Sequence, residues 1–193
     1  MSSAEAVHDA SIRRGKRTLL MIAAAVIAPV VLSYGIYYFT PRGTFTNYGE
    51  LLPTQPAPAI SGTRDDGTTL SITQMQGRWK ILVTSGGRCD AACETMLFAT
   101  RQARTMQGRE RERIERLWLV PDGTRPDPAI LAEHPDVVVL RTSPRDVAAL
   151  PRGAEAIYLV DPLGNQVLAW PREPDIKALA RDLTRLLRAS RIG

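Results

Sequence analysis

Cysteine is nearly missing from this 193-residue chain, which has two, Cys89 and Cys93. Two cysteines cannot build the multiple-bridge scaffold that replaces a core in small secreted proteins. A large charge of either sign is also missing. The formal net charge is +5, and the first 40 residues hold four basic side chains (Arg13, Arg14, Lys16, Arg17) and two acidic ones (Glu5, Asp9), which leaves +3 for the remainder. So small an excess excludes a nucleic-acid footprint. No internal repeat is present.

Charge is wholly absent from one long stretch, Leu19 to Phe39, LLMIAAAVIAPVVLSYGIYYF. At about 1.5 Å of rise per residue, roughly 20 helical residues cross the ~30 Å hydrocarbon layer of a bilayer. A soluble helix of this length would show a polar face; this one offers only Ser33 and a few tyrosine hydroxyls. Pro29 is better tolerated in a membrane helix than in a soluble one. Tyr34, Tyr37, Tyr38 and Phe39 suit the aromatic belt at an interface. Four basic residues precede the stretch and only Arg42 follows closely, so the positive-inside rule keeps the N-terminus cytoplasmic and exports the rest. A cleaved signal peptide is the competing reading, but the apolar run exceeds a usual h-region and no clear small-x-small site follows. The Arg13-Arg14 pair lacks a twin-arginine export pattern. The expected organisation is a cytoplasmic tail (1–18), one transmembrane helix (19–39), a Pro-, Gly- and Thr-rich linker (40–58) and a globular domain (59–193).

About 150 residues beyond the span suffice for one domain with a real core. Asp65-Asp66-Gly67 reads as a turn before a short strand at 68–72. The apolar runs WKILVT (79–84), LWLV (117–120), VVVL (137–140) and IYLV (157–160) read as buried strands. Gly86-Gly87-Arg88 ends the first of them. Helical spacing of Met96, Leu97, Thr100, Ala103 and Met106 predicts a helix over 94–107. Short helical pieces are expected at 128–134 and 146–150. Asp161-Pro162-Leu163-Gly164-Asn165 predicts a turn joining 157–160 to a partner strand at 166–170. Ile176, Leu179, Ala180, Leu183, Leu186 and Leu187 predict an amphipathic final helix over 175–189. The densely charged segment 109–116 reads as a solvated helix end or loop. The alternation implies an α/β domain, a mixed sheet with helices on both faces. A cysteine pair directly after the first long strand points to a thioredoxin-like arrangement.

The pair carries the chemistry. If a helix starts near Cys89, the two sulfurs lie one turn apart on one face, within the Cα separation a disulfide requires. The positive helix N-terminus, with Arg88 beside it, favours a thiolate at Cys89. Cys89 is then the attacking thiol and Cys93 the resolving one. The same two soft thiolates could bind Cu(I). A structural disulfide or two inert core thiols stand as the alternative, although a bridge across three intervening residues stabilises only weakly.

The segments GRWKILVTSGGRCDAACETM and AIYLVDPLGNQVLAW, the preceding hairpin DDGTTLSITQMQGRWK and the final helix together resemble the Sco/SenC family, from about Gln55 to the C-terminus. Members are membrane-anchored thioredoxin-like proteins that help assemble the copper site of cytochrome c oxidase. The resemblance implies an inner-membrane, single-pass protein with a periplasmic thioredoxin-like domain. It implies work on an oxidase subunit or another periplasmic thiol protein, by thiol–disulfide exchange, copper delivery through Cys89 and Cys93, or both. In two respects the chain is divergent. Asp90 and Glu94 stand where members carry proline. Gly153 stands where they carry a copper-ligating histidine. Ala154 to Ala156 stand where a general thiol oxidoreductase of cytochrome maturation would place a proline facing its cysteines. His134, the one histidine of the exported part, reads as a surface or hydrogen-bonded residue. A non-catalytic assembly module that keeps the fold without the metal site is the alternative function.

Overall fold

A computed structural model describes residues 3–39, 47–154, 156–190 and 192, with side chains from residue 16 onward except those of Tyr37 and Phe39. The side chains of Arg13, Arg14, Tyr37 and Phe39, and the whole of Arg42, therefore lie outside the described residues. The chain forms two units, divided between Thr46 and Asn47.

The first unit is helix α1, Ser3–Phe39, with Pro29 inside it. Its stretch Lys16–Ile36 is long and apolar enough to cross a membrane. Its large side chains, among them Leu20, Ile22, Ile27, Val31 and Leu32, are exposed within this unit. An all-round apolar surface of this kind calls for lipid or protein around it. Tyr34 and Tyr38, one turn apart, stack with ring centroids 6.5 Å apart.

The second unit contains β1 (Glu50–Pro56), β2 (Ser61–Thr63), β3 (Thr69–Ser71), β4 (Trp79–Thr84), α2 (Ala91–Thr105), β5 (Ile114–Val120), α3 (Pro128–Glu133), β6 (Val137–Arg141), α4 (Pro144–Ala148), β7 (Ala156–Val160), β8 (Asn165–Pro171) and α5 (Ile176–Ala189). The strands form one mixed sheet in the order β1-β8-β7-β4-β5-β6-β2-β3. Strands β4, β5 and β6 run parallel, and β7 returns antiparallel against β4. Period-two alternation divides the strands between two cores. Ile81, Val83, Trp118, Val120, Ile157 and Leu159 face α2 and α5, whereas Leu82, Leu117, Leu119, Tyr158 and Val160 face Val147 and Leu150 at α4. The expected α/β class, a thioredoxin-like mixed sheet flanked by helices, is what the chain forms.

Two segments differ from the sequence reading. Residues 50–56, expected within the linker, pair with β8 as edge strand β1. Only Leu52 of this strand is buried, and an edge tolerates Pro53 and Pro56, which cannot donate to a ladder. The charged run 109–116 is not solvated throughout. It closes with the first three residues of β5, where Ile114 and Arg116 are buried. The guanidinium of Arg116 donates to Asp136 Oδ1 (2.8 Å), to the Leu97 carbonyl (2.6 Å) and to Thr100 Oγ1. Burial pushes its pKa down to about 10, against the opposing pull of Asp136, so it remains a cation at neutral pH.

A buried carboxylate fixes the chain where it enters this unit. Asp182, 2% exposed on α5, accepts from the backbone N–H of Tyr48 (3.1 Å) and Gly49 (2.8 Å) and from Trp170 Nε1 (3.0 Å). Gly49 is obligatory here, since a Cβ would lie 2.6 Å from Trp170 Nε1.

Candidate functional site

Strand pairing gathers four chain segments at one end of the sheet. Thr84 ends β4 beside Leu119 near the end of β5. Strand β7 begins at Ala156, which pairs with Pro171 at the end of β8. Residues 85–90, 121–127, 152–154 and 172 therefore leave the sheet on the same side.

Cys89 and Cys93 are joined in a disulfide with Cα atoms 5.1 Å apart. The helix expected over 94–107 begins earlier, at Ala91, with Asp90 as its N-cap, so it does not include Cys89. Asp90 Oδ1 accepts the Cys93 N–H at 2.9 Å, satisfying one of the orphan donors of the first turn. Cys89 lies outside the helix in the left-handed region, at φ 44°. Its N–H closes a turn onto the Gly86 carbonyl at 3.1 Å. This geometry makes the cysteines unequal: Cys89 is 7% exposed and Cys93 is 0% exposed. Both belong to the core cluster that contains Met96, Leu97 and Trp118.

The turn before Cys89 is held from the β5 side. Gly87 N–H donates to Thr124 Oγ1 (2.9 Å) and Asp122 Oδ1 (3.3 Å), and Thr124 itself donates to Asp122 Oδ1 from both N–H and hydroxyl. The hydrogen bond from the Thr124 hydroxyl, with those from the backbone, holds the Asp122 carboxyl below its usual range. A Cβ on Gly87 would sit 2.6 Å from the Thr124 carbonyl oxygen, so glycine is required where the two loops touch. On the other flank, Arg172 reaches Asp90 Oδ2 at 3.8 Å.

The remaining positions singled out in the sequence fall as follows. Gly153, at φ 54°, ends a turn that the Tyr158 hydroxyl clips by accepting from Arg152 N–H and donating to the Gly153 carbonyl, both at 2.9 Å. It offers no side-chain donor to a metal. Ala154 is partly buried, Ala156 is buried at the start of β7, and residue 155 lies outside the described residues. Glu94 is in the first turn of α2. His134, expected as a surface or hydrogen-bonded residue, is buried instead. It is 4% exposed at the end of α3, and its Nδ1 has no hydrogen-bond partner among the described residues. Burial first, then the charges of Arg116 and Arg101, lower its pKa, so it is held neutral. It lines a groove of about 370 Å³ with Glu94, Thr95 and Phe98 and does not join the cysteines in a ligand set. Among the described residues no group of three or more His, Cys, Asp or Glu side chains could hold a metal ion. The reduced pair would supply two soft thiolates, and no third donor joins them among the described residues.

Sequence reasoning missed Arg172 and the Asp122-Thr124 brace. Each reaches the cysteine turn from a separate strand, and only the pairing of β5 and β8 into the sheet brings them there. The doublet Gly86-Gly87 was the available signal of a close backbone approach.

The family described as "Transmembrane-like, thioredoxin-like, C-terminal domain" matches residues 79–190. Among solved structures, apo Sco1 from Thermus thermophilus is 21% identical, covers 76% of this chain and 98% of its own, and superposes with a TM-score of 0.57. Yeast Sco1 with copper bound is 20% identical, covers 72% and 96%, and gives 0.58. The thioredoxin domain of a thiol-disulfide oxidoreductase from Bacteroides vulgatus is 19% identical, covers 70% and 99%, and gives 0.51. At these identities the likeness is one of fold, and at that level the resemblance to Sco/SenC proteins read from the sequence holds. No curated protein matches the chain.

Proposed function

This chain belongs to the transmembrane-like, thioredoxin-like, C-terminal domain family, and from that premise we propose that it is a membrane-tethered thiol–disulfide exchange protein of the Sco type, serving respiratory oxidase assembly. The observation that carries the reading is the asymmetry of the cysteine pair: Cys89, ahead of α2, keeps 7% exposure, whereas Cys93, in its first turn, keeps none. In exchange, the Cys89 thiolate bonds to one sulfur of a partner disulfide, and the partner's other sulfur leaves as a thiolate. Cys93 then gives up its proton to solvent, bonds to the Cys89 sulfur and expels the partner's first sulfur. Two electrons pass to the partner, and the pair is left as the disulfide observed here. A dithiol donor returns it to the reduced state. Helix α1 is the anchor, with residues 1–18 cytoplasmic and the second unit periplasmic, facing clients at the bacterial inner membrane. Those clients are an oxidase subunit or another periplasmic thiol protein.

One observation favours a second reading. Yeast Sco1 of the same fold is described with copper bound. In that reading Cu(I) is cargo, held by both thiolates with a third ligand from the partner or from solvent. A non-catalytic assembly module is the remaining alternative.

The deciding experiment equilibrates the full chain, in detergent micelles, with glutathione redox buffers and counts free thiols by alkylation and mass spectrometry. Anaerobic Cu(I) titration runs beside it. A reversible two-electron transition without copper binding supports exchange. One-to-one copper binding that is lost in Cys89→Ser supports the carrier. A pair that neither reduces reversibly nor binds copper sinks both and leaves the module.

A further inference from the structure

We infer that Arg172 is a positioning residue that sets the reactivity of Cys89 by neutralising Asp90; the inference rests on the exchange reading above. Asp90 carries two burdens. Its Oδ1 caps α2 by accepting the Cys93 N–H, a task that a neutral Ser, Thr or Asn performs equally well. Its negative charge, on the residue next to Cys89, opposes formation of a thiolate there. The chain keeps the aspartate and brings a cation to its other oxygen, with Arg172 Nη2 at 3.8 Å from Oδ2. The guanidinium comes from just beyond β8, whose last residue, Pro171, pairs with Ala156 across the sheet end where the cysteine turn emerges. Its side chain is 31% exposed against 69% for Asp90, so its charge is the less screened of the two. Arg88, which directly precedes Cys89, is exposed. Arg172 thus offsets the carboxylate in the first step of exchange, when negative charge must reside on the Cys89 sulfur. It does not touch the reacting atoms.

The test uses the full chain in micelles in a Cys93→Ser background, where Cys89 is the only thiol. The rate of iodoacetamide alkylation is followed by mass spectrometry as a function of pH. Arg172→Gln is expected to lower the rate at pH 7 about threefold, the effect of half a pH unit on the thiolate fraction, and to move the profile to higher pH. Arg172→Lys restores most of the rate, because charge and not guanidinium shape is what acts. Asp90→Asn in the Arg172→Gln background also restores it, because no carboxylate then needs neutralising. A merely structural role would leave the pH profile in place. A Cys89 that reacts faster than free glutathione but is indifferent to Arg172→Gln, or is slowed by it without rescue by lysine, overturns this inference alone. A Cys89 no more reactive than glutathione before any change at Arg172 overturns the exchange reading and this inference with it.

Discussion

Asp182→Ala removes the acceptor of three hydrogen bonds at once. Two of the donors, Gly49 N–H and Trp170 Nε1–H, are buried, and the third, Tyr48 N–H, is partly so. A buried donor left without a partner costs about 1–3 kcal/mol. Two such donors and a weaker third put the loss at about 3–5 kcal/mol. Domains of this size are stable by about 5–15 kcal/mol in total, so the variant loses a large share while remaining foldable. The assay is a urea titration of the full chain in micelles, read by tryptophan fluorescence. All three tryptophans, Trp79, Trp118 and Trp170, are buried in the second unit, so the signal reports that unit alone. With a denaturant slope of about 1–3 kcal/mol per molar, the midpoint should fall by about 1–5 M. Asp182→Asn keeps one acceptor oxygen and should lose about half as much. Hydrogen exchange should speed first at β1, the edge strand that begins beside Gly49. A loss below about 1 kcal/mol for the alanine variant would refute the reasoning, because the three donors would then have found other partners.

Asp136→Ala leaves Arg116, 1% exposed, without its carboxylate, and should cost about 2–4 kcal/mol by urea titration. The double change to Arg116→Met and Asp136→Ala should cost less than Asp136→Ala alone, because no unpaired charge then stays buried. His134 has a folded-state pKa below its ordinary value because of burial, so the unfolded chain binds the extra proton as pH falls. Its contribution is therefore full above about pH 6.5 and is lost as pH drops through and below the ordinary histidine range. Urea midpoints between pH 7.5 and 5 should show that decline, and His134→Phe should remove its histidine part. Gly87→Ala forces a Cβ against the Thr124 carbonyl and should slow Cys89 alkylation while the melting transition moves by only a few degrees.

Much of this architecture was legible in the sequence because its strands are short apolar runs and its long helices carry regular spacing. WKILVT and IYLV became β4 and β7 with nearly the expected bounds. The cysteine pair was legible as a strand–turn–helix junction. What stayed hidden was polar and non-local. Arg116 lies in a charged run, yet it alternates with Ile114, Trp118 and Val120 on one face of β5; the alternation is visible only when that run is assigned to a strand. Strand β1 has a single buried side chain and two prolines, so no periodicity marks it. Asp182 reads as the polar side of an amphipathic helix, because its donors lie 12 residues away at Trp170 and 133 away at Gly49. The helix expected over 94–107 begins at Ala91, behind the Asp90 cap, so Cys93 falls in its first turn with no exposure while Cys89 stays ahead of it with 7%.

The central claim is that Cys89 attacks and Cys93 resolves, and it is tested most directly by trapping the mixed disulfide. Reduced full-length chain, with Cys93→Ser or Cys89→Ser, is mixed in micelles with an oxidised peptide disulfide, and the adduct is followed by mass spectrometry. The account requires the Cys93→Ser protein to form a stable adduct at Cys89, the Cys89→Ser protein to form one at least tenfold more slowly, and the unsubstituted chain to pass through the adduct to its own disulfide. Equal rates for the two variants, or a faster adduct at Cys93, would contradict it.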